Sequence, residues 1–150
     1  MVNLRQATPE DAKPIALLHA DSWRRTYRGA LPDAFLDGEV ESDRLALWHD
    51  RLAAPAEGEH TVVAEESDGI EAFAHTVADD DPEWGALLGN IHVSVARRGQ
   101  GLGAQLMTDA AVWVDGNGRR KSLYLWVLEQ NTGAQRFYRR LGGEPAGREM

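Results

Sequence analysis

The segment Arg97-Arg98-Gly99-Gln100-Gly101-Leu102-Gly103 restricts this chain more than any other. It follows Asn90-Ile91-His92-Val93-Ser94-Val95, which alternates polar and apolar residues as a half-buried strand does, although Leu87-Leu88 just before it breaks the alternation. It precedes Leu102, Leu106, Ala110 and Trp113, which share one helical face while Gln105 and Asp109 turn outward. Strand, glycine-rich turn and helix in that order set closely spaced backbone N–H groups beside the positive end of a helix. Such a place receives an anion, for example a pyrophosphate. The glycine spacing alone is equally what a tight strand-to-helix turn needs, and it is the flanking periodicities that favour a phosphorylated ligand.

At 150 residues and 43% hydrophobic, the chain predicts one domain over residues 1–150, with no length for a separate substrate domain. No apolar run approaches the roughly 20 residues that span a bilayer. Met1-Val2-Asn3-Leu4-Arg5 is not followed by the apolar stretch of a secretory signal, so a cytoplasmic location and no membrane partner are expected. The absence of cysteine removes disulfides, a thiolate nucleophile and Cys-based metal sites, and no metal site is predicted. Twenty-four acidic against sixteen basic residues, a formal charge of −8, disfavour a nucleic-acid surface and suit a cationic substrate. Arg97 with Arg98, and Arg119-Arg120-Lys121, are basic patches within that acidic chain.

The remaining pattern is helical first and stranded later. Residues 4–7 suggest a short strand, and Thr8-Pro9-Glu10-Asp11 caps a helix whose inward face uses Ile15, Leu18 and Trp23. Tyr27-Arg28-Gly29 breaks it, Leu31-Pro32-Asp33 starts another, and a third near residues 41–52 uses Leu45, Trp48 and Leu52. Strands at 61–64 and 70–77 flank a turn at 65–69. Asp79-Asp80-Asp81-Pro82-Glu83 reads as an acidic loop, 122–128 as a strand, and 132–141 as a helix with Ala134, Phe137, Tyr138 and Leu141 in a stripe. The order is mixed α/β, α+β-like, with a meander of strands and then strand-helix-strand-helix.

Arg98-Gly99-Gln100-Gly101-Leu102-Gly103 resembles the coenzyme-A signature of the GCN5-related N-acetyltransferase (GNAT) superfamily, and Arg98, Gly101 and Gly103 fall on its key positions. A second family block is matched by Leu125-Trp126-Val127-Leu128-Glu129-Gln130-Asn131 with Ala134, Phe137-Tyr138 and Leu141-Gly142. Trp23-Arg24-Arg25-Thr26-Tyr27-Arg28-Gly29 with Leu31-Pro32 is similar to the N-terminal helical region of many bacterial members. The resemblance implies a central mixed sheet with splayed middle strands, flanked by helices. Family members continue past Leu141-Gly142 with two strands, and only eight residues follow here, so the C-terminal hairpin is expected to be incomplete and a homodimer could supply the missing strand.

The implied activity is acetyl-CoA-dependent transfer of acetyl to a primary amine of a small molecule or peptide, by direct attack in a ternary complex. The alternatives are a noncatalytic acyl-CoA-binding regulatory module or a transferase for a longer acyl group. By resemblance, Arg98, Gly99, Gln100, Gly101, Leu102, Gly103 and Ala104 hold the pyrophosphate, and backbone groups of Val93 and Val95 pair with the pantetheine arm. Val93 N–H is the oxyanion candidate, Asn131 a further cofactor ligand, and Tyr138 the acid near the sulfur. From the residues alone, Asn131 reads as a helix N-cap and Tyr138 as packing. The family glutamate position is Trp126 here, which leaves the base open. His92 ranks slightly above His75, Asp81 and Glu83 because imidazole titrates near neutrality, although a lone strand histidine is more often structural. Trp23, Tyr27 and Trp84 are candidate walls of the acceptor pocket, and each reads equally as an aromatic packing residue.

Overall fold

Val62 and Ala64 on one strand, Ala72 and Ala74 on the next, share one face of a sheet, while Val63 and Phe73 share the other. In this computed structural model, which describes residues 2–67, 69–119, 121–127 and 131–146, the strands are β1 (Asn3–Gln6), β2 (Glu59–Glu66), β3 (Gly69–Asp81), β4 (Gly85–Val93) and β5 (Leu123–Tyr124). They lie in sequence order, antiparallel except for the parallel pair β4–β5, which makes the sheet mixed. The helices are α1 (Ala12–Thr26), α2 (Asp33–Asp37), α3 (Val40–Ala53), α4 (Leu102–Asn117) and α5 (Thr132–Arg140). One face of the sheet packs on Leu102, Leu106 and Ala110 of α4. The other packs on Ala12, Ile15 and Ala16 of α1 and Trp48 and Leu52 of α3.

A bulge explains the broken alternation before residue 90. Thr76 lies opposite Leu88 and His75 opposite Asn90, so Gly89 is an extra residue in β4. Leu88 and Ile91, an odd number of positions apart, therefore both reach the α4 side of the core. After the bulge His92 takes the α1 side, where it meets Phe73 and His19.

The sheet splays where β4 and β5 part. They pair only at Ala86 with Leu123 and Leu87 with Tyr124, and beyond that point β4 has no strand partner on this side among the described residues. The acidic segment fixes the closed end of the wedge. It is not a free loop: β3 runs to Asp81, whose carboxylate accepts from the N–H groups of Glu83 and Trp84 at 2.8 and 3.0 Å. Asp79 accepts from Arg119 N–H at 2.9 Å, the Tyr124 hydroxyl donates to Asp80, and the Ser122 hydroxyl donates to the Trp84 carbonyl at 2.9 Å. At the N-terminus, Arg5 joins β1 to both Asp11, 2.7 Å away at the start of the first helical segment, and Glu65 of β2 at 3.0 Å.

Several expected packing positions shift. The α4 stripe continues to buried Val114, four residues after Ala110, whereas Trp113 stacks on His60 with ring centroids 5.0 Å apart. Leu45 of α3 is exposed, as is Leu141 beyond α5. In α1 His19 is buried along with Ile15 and Ala20, whereas Leu18 and Trp23 are only partly covered. The strand expected to end at Val95 stops at Val93, and Val95 begins a short 3-10 turn with its side chain exposed. The strand expected at 122–128 is two residues long, and residues 141–146 form no strand. Met1, Asp68 of the hairpin turn, Arg120, Leu128, Glu129, Gln130 and residues 147–150 lie outside the described residues.

Candidate functional site

At the turn after β4, Gly99 and Gly101 adopt φ of 78° and 85°, which a side chain would strain, and open space lies where their β-carbons would be. The first bond into α4 runs from Gln105 N–H to the Gly101 carbonyl at 3.0 Å. The N–H groups of Leu102, Gly103 and Ala104 therefore have no intrahelical acceptor, and among the described residues no side chain caps them. These donors, the left-handed glycines and the clear space fit a pyrophosphate. Leu102 itself is core, and Gln100 bonds back to the Ala96 carbonyl at 3.4 Å. Arg97 turns toward the sheet and pairs with Glu66, 3.9 Å from Glu71 as well. Arg98 stays exposed beside the turn, its pKa drawn below the usual arginine value by partial burial and by Arg25.

The open edge of β4 presents its own backbone. Ser94 N–H donates to the Glu71 carbonyl of β3 at 2.8 Å. Alternation along an antiparallel ladder then turns the N–H and C=O of Val93 the other way, into the wedge. Val93 lies one residue from Ser94 and six from Gly99, so wedge and glycine turn adjoin.

On the α1 face, His92 Nδ1 lies 2.8 Å from the Ser22 hydroxyl. Its ring centroid is 5.0 Å from that of His19 and 5.2 Å from that of Phe73. Burial, then the charges of Arg25 and Arg98, push its pKa down to about 4, so the imidazole is neutral at pH 7. His19 is buried deeper. Trp48 Nε1–H donates to its Nδ1 at 2.9 Å, which places the proton of the neutral ring on Nε2; Asn90 Nδ2, itself a donor, stands 3.3 Å away, and only the amide's Oδ1 could accept that proton. Burial and the neighbouring His92, Arg44 and Arg51 hold its pKa near about 2. Trp23 stands edge-on to His19 at 5.5 Å and to Tyr27 at 5.2 Å, and the guanidinium of Arg44 covers its ring at 4.2 Å.

Helix α5 closes the other side of the turn. Asn131 caps it, Oδ1 accepting from Ala134 N–H at 3.1 Å. The Phe137 ring packs on Gly103. Tyr138 is partly covered, and burial pushes its phenol up to about 12, so it is protonated across the ordinary pH range.

The structure thus groups His92, Trp23 and Tyr27 on one side of β4 and the 98–104 turn at its end, with Phe137 of α5 against Gly103. Trp84 stands apart, at the closed end of the wedge and roughly 27 Å along the strand from Val93. His75 also stands apart: Thr61 at 2.7 Å and Glu59 at 3.0 Å engage its two ring nitrogens. It borders a cavity of about 20 Å³, space for one water. Asp81 is spent on its own turn. Sequence reasoning missed Ser22, His19 and Asn90; the available signal was that His19 and Ser22 sit three residues apart on the helical face that also carries Ile15. Among the described residues no helix is long and apolar enough to cross a membrane.

The Acetyltransferase (GNAT) family model matches residues 20–143. The uncharacterized N-acetyltransferase YuaI of Bacillus subtilis (strain 168) is 29% identical over 133 residues, covering 87% of this chain and 74% of that protein. Among solved structures, a GCN5-related N-acetyltransferase from Ralstonia eutropha JMP134 superposes with a TM-score of 0.78 at 19% identity, over 100% of this chain and 97% of that one. The PaiA N-acetyltransferase from Thermoplasma acidophilum, in complex with coenzyme A, gives 0.77 at 14% identity, over 94% and 88%.

Proposed function

The chain belongs to the GNAT acetyltransferase family and is an acyl-CoA-dependent transferase, and from that premise we propose that it moves acetyl from acetyl-CoA to a primary amine by direct attack in a ternary complex. The observation that carries the proposal is the junction of two features: unpaired N–H groups at the 99–104 turn, and a strand edge opened at Val93 beside it. The cofactor supplies the activated acetyl thioester. Backbone N–H groups from Gly99 to Ala104, with Arg98 nearby, hold its pyrophosphate. The amide of Asn131 keeps its N–H donors for the cofactor, since capping uses only Oδ1. The edge of β4 orients the acyl arm, and Val93 N–H meets the negative charge that develops on the carbonyl oxygen.

Tyr138 Oη, its pKa pushed up to about 12, is protonated and shares that proton with the sulfur as the C–S bond breaks; the proton that the acylated nitrogen loses restores the phenol, so the net products are the amide and the free thiol. His92 is a poor base for an ammonium. The roughly 6 units between its pKa of about 4 and that of an ordinary alkylammonium amount to about 8 kcal/mol against transfer. The amine therefore arrives already neutral, and His92, held by Ser22, gives it an uncharged acceptor on the α1 side. Trp23 and Tyr27 form the wall behind His92, while Trp84 anchors the hairpin.

Purified protein given acetyl-CoA and a panel of amines should release coenzyme A only when an acceptor is present. Saturable coenzyme-A binding without acceptor-dependent release would favour a regulatory binding module. Faster turnover with propionyl- or succinyl-CoA at the same acceptor would move the assignment to a longer acyl group.

A further inference from the structure

Leu123 and Leu125 pack into the core on the α4 side, so alternation places Tyr124 and Trp126 on the opposite face, the face of His92. The two rings lie 6.3 Å apart, as residues i and i+2 of an extended segment do. In the register that pairs Leu87 with Tyr124, Trp126 comes level with the bulge at Gly89, where the wedge opens. Its indole is 59% exposed. Trp23 and Trp48, also on this side of the sheet, already carry Arg44 and Arg51 on their rings. An uncovered indole in the wall of a reaction cleft offers a large π face to whatever enters.

The local charge indicates what should enter. The Tyr124 hydroxyl donates to the Asp80 carboxylate, which makes that phenol ring richer in electrons, and Asp79, Asp81 and Glu83 belong to the same hairpin. Aromatic faces beside a negative hairpin attract cations. The nitrogen that attacks the thioester must be neutral, so the cation that Trp126 meets has to be a second one. We infer that Trp126 is a specificity-determining residue that favours acceptors carrying a further positive charge beside the amine to be acetylated. This rests on the transferase reading above and narrows its acceptor class.

Putrescine and butylamine share a four-carbon chain and differ in the second ammonium group. At saturating acetyl-CoA the protein should turn over putrescine with the higher kcat/KM. Trp126→Ala should lower that value about fivefold, equivalent to about 1 kcal/mol, with butylamine and the KM for acetyl-CoA unchanged. Trp126→Phe should retain most of the preference. Equal losses on both amines, a change confined to the KM for acetyl-CoA, or no loss would overturn the inference. Calorimetric titration of putrescine into the protein saturated with coenzyme A separates the two readings. Binding that weakens about fivefold in Trp126→Ala without any turnover would sustain the cation site and defeat the transferase reading. Turnover with identical putrescine binding in both proteins would do the reverse.

Discussion

The α-carbon of Gly103 lies against the ring of Phe137: a β-carbon there would come within 2.9 Å of Cζ. This contact joins the first turn of α4, which carries the unpaired N–H groups, to α5, which carries Tyr138. The third glycine of the turn is thus a packing residue, whereas Gly99 and Gly101 are set by their positive φ and have nothing near them. One short motif meets two different physical demands.

Gly103→Ala should therefore lower stability by about 1–3 kcal/mol, because overpacking against an aromatic ring outweighs the better helix propensity of alanine. Pairing it with Phe137→Leu should recover part of the loss. Urea denaturation of the two single variants and the double variant measures the coupling, and additive effects would rule out the contact as the cause.

Gly85 is a sterner case. It has φ of 94°, and its β-carbon would fall 2.3 Å from Ser122 Oγ and 2.5 Å from the Ser122 carbonyl oxygen, which accepts from Ala86 N–H. Backbone cannot yield as a side-chain tip can. Gly85→Ala should cost on the order of 3 kcal/mol and displace β5. Faster hydrogen exchange at Ala86 than in β2 would report that displacement, and unchanged protection there would contradict it.

What was legible in the sequence was whatever periodicity or chain order alone decides. The helix after Gly101, the β2–β3 hairpin and the break at Tyr27-Arg28-Gly29 follow from local pattern. The errors come from tertiary demands. His19 holds a position that apolar residues usually take, because Trp48 donates to its ring there and Trp23, Trp48 and Phe73 pack around it. The acidic run becomes strand and turn because its carboxylates find donors on Tyr124, Arg119 and their own turn. The Gly89 bulge adds one residue to β4, and a strict two-residue alternation cannot register it. At the site, the glycine turn was readable from its residues, while the Ser22–His92 bond joins positions seventy residues apart and leaves no local trace.

Tyr138→Phe keeps the packing against Phe137 and removes the proton held for the leaving sulfur. We expect kcat to fall on the order of a hundredfold with the KM for acetyl-CoA little changed. Because burial raises the phenol to about 12, the wild-type rate should show no alkaline decline below about pH 10. A descending limb near pH 8, absent from the phenylalanine variant, would mean that the phenol ionises too easily for this role.

The two adjoining histidines, ring centroids 5.0 Å apart, make the fold sensitive to acid. Both carry pKa values held below the ordinary 6.5, His92 at about 4 and His19 at about 2, chiefly by burial. As pH falls, the unfolded chain binds these protons first, so the native state loses stability from about pH 6.5 downward, through pH 4 for His92 and further for His19. At pH 5 the loss is about 2 kcal/mol per histidine. His92→Asn, which can still bond Ser22, should be less stable than wild type at pH 7.5 yet lose less on going to pH 5. Denaturant midpoints at those two pH values give the comparison. Parallel losses in both proteins would show that His92 titrates alike folded and unfolded, and would restore it as a base of ordinary strength. The same low pKa keeps His92 out of the rate profile near neutrality, where kcat/KM should climb with pH along the acceptor's own ionisation.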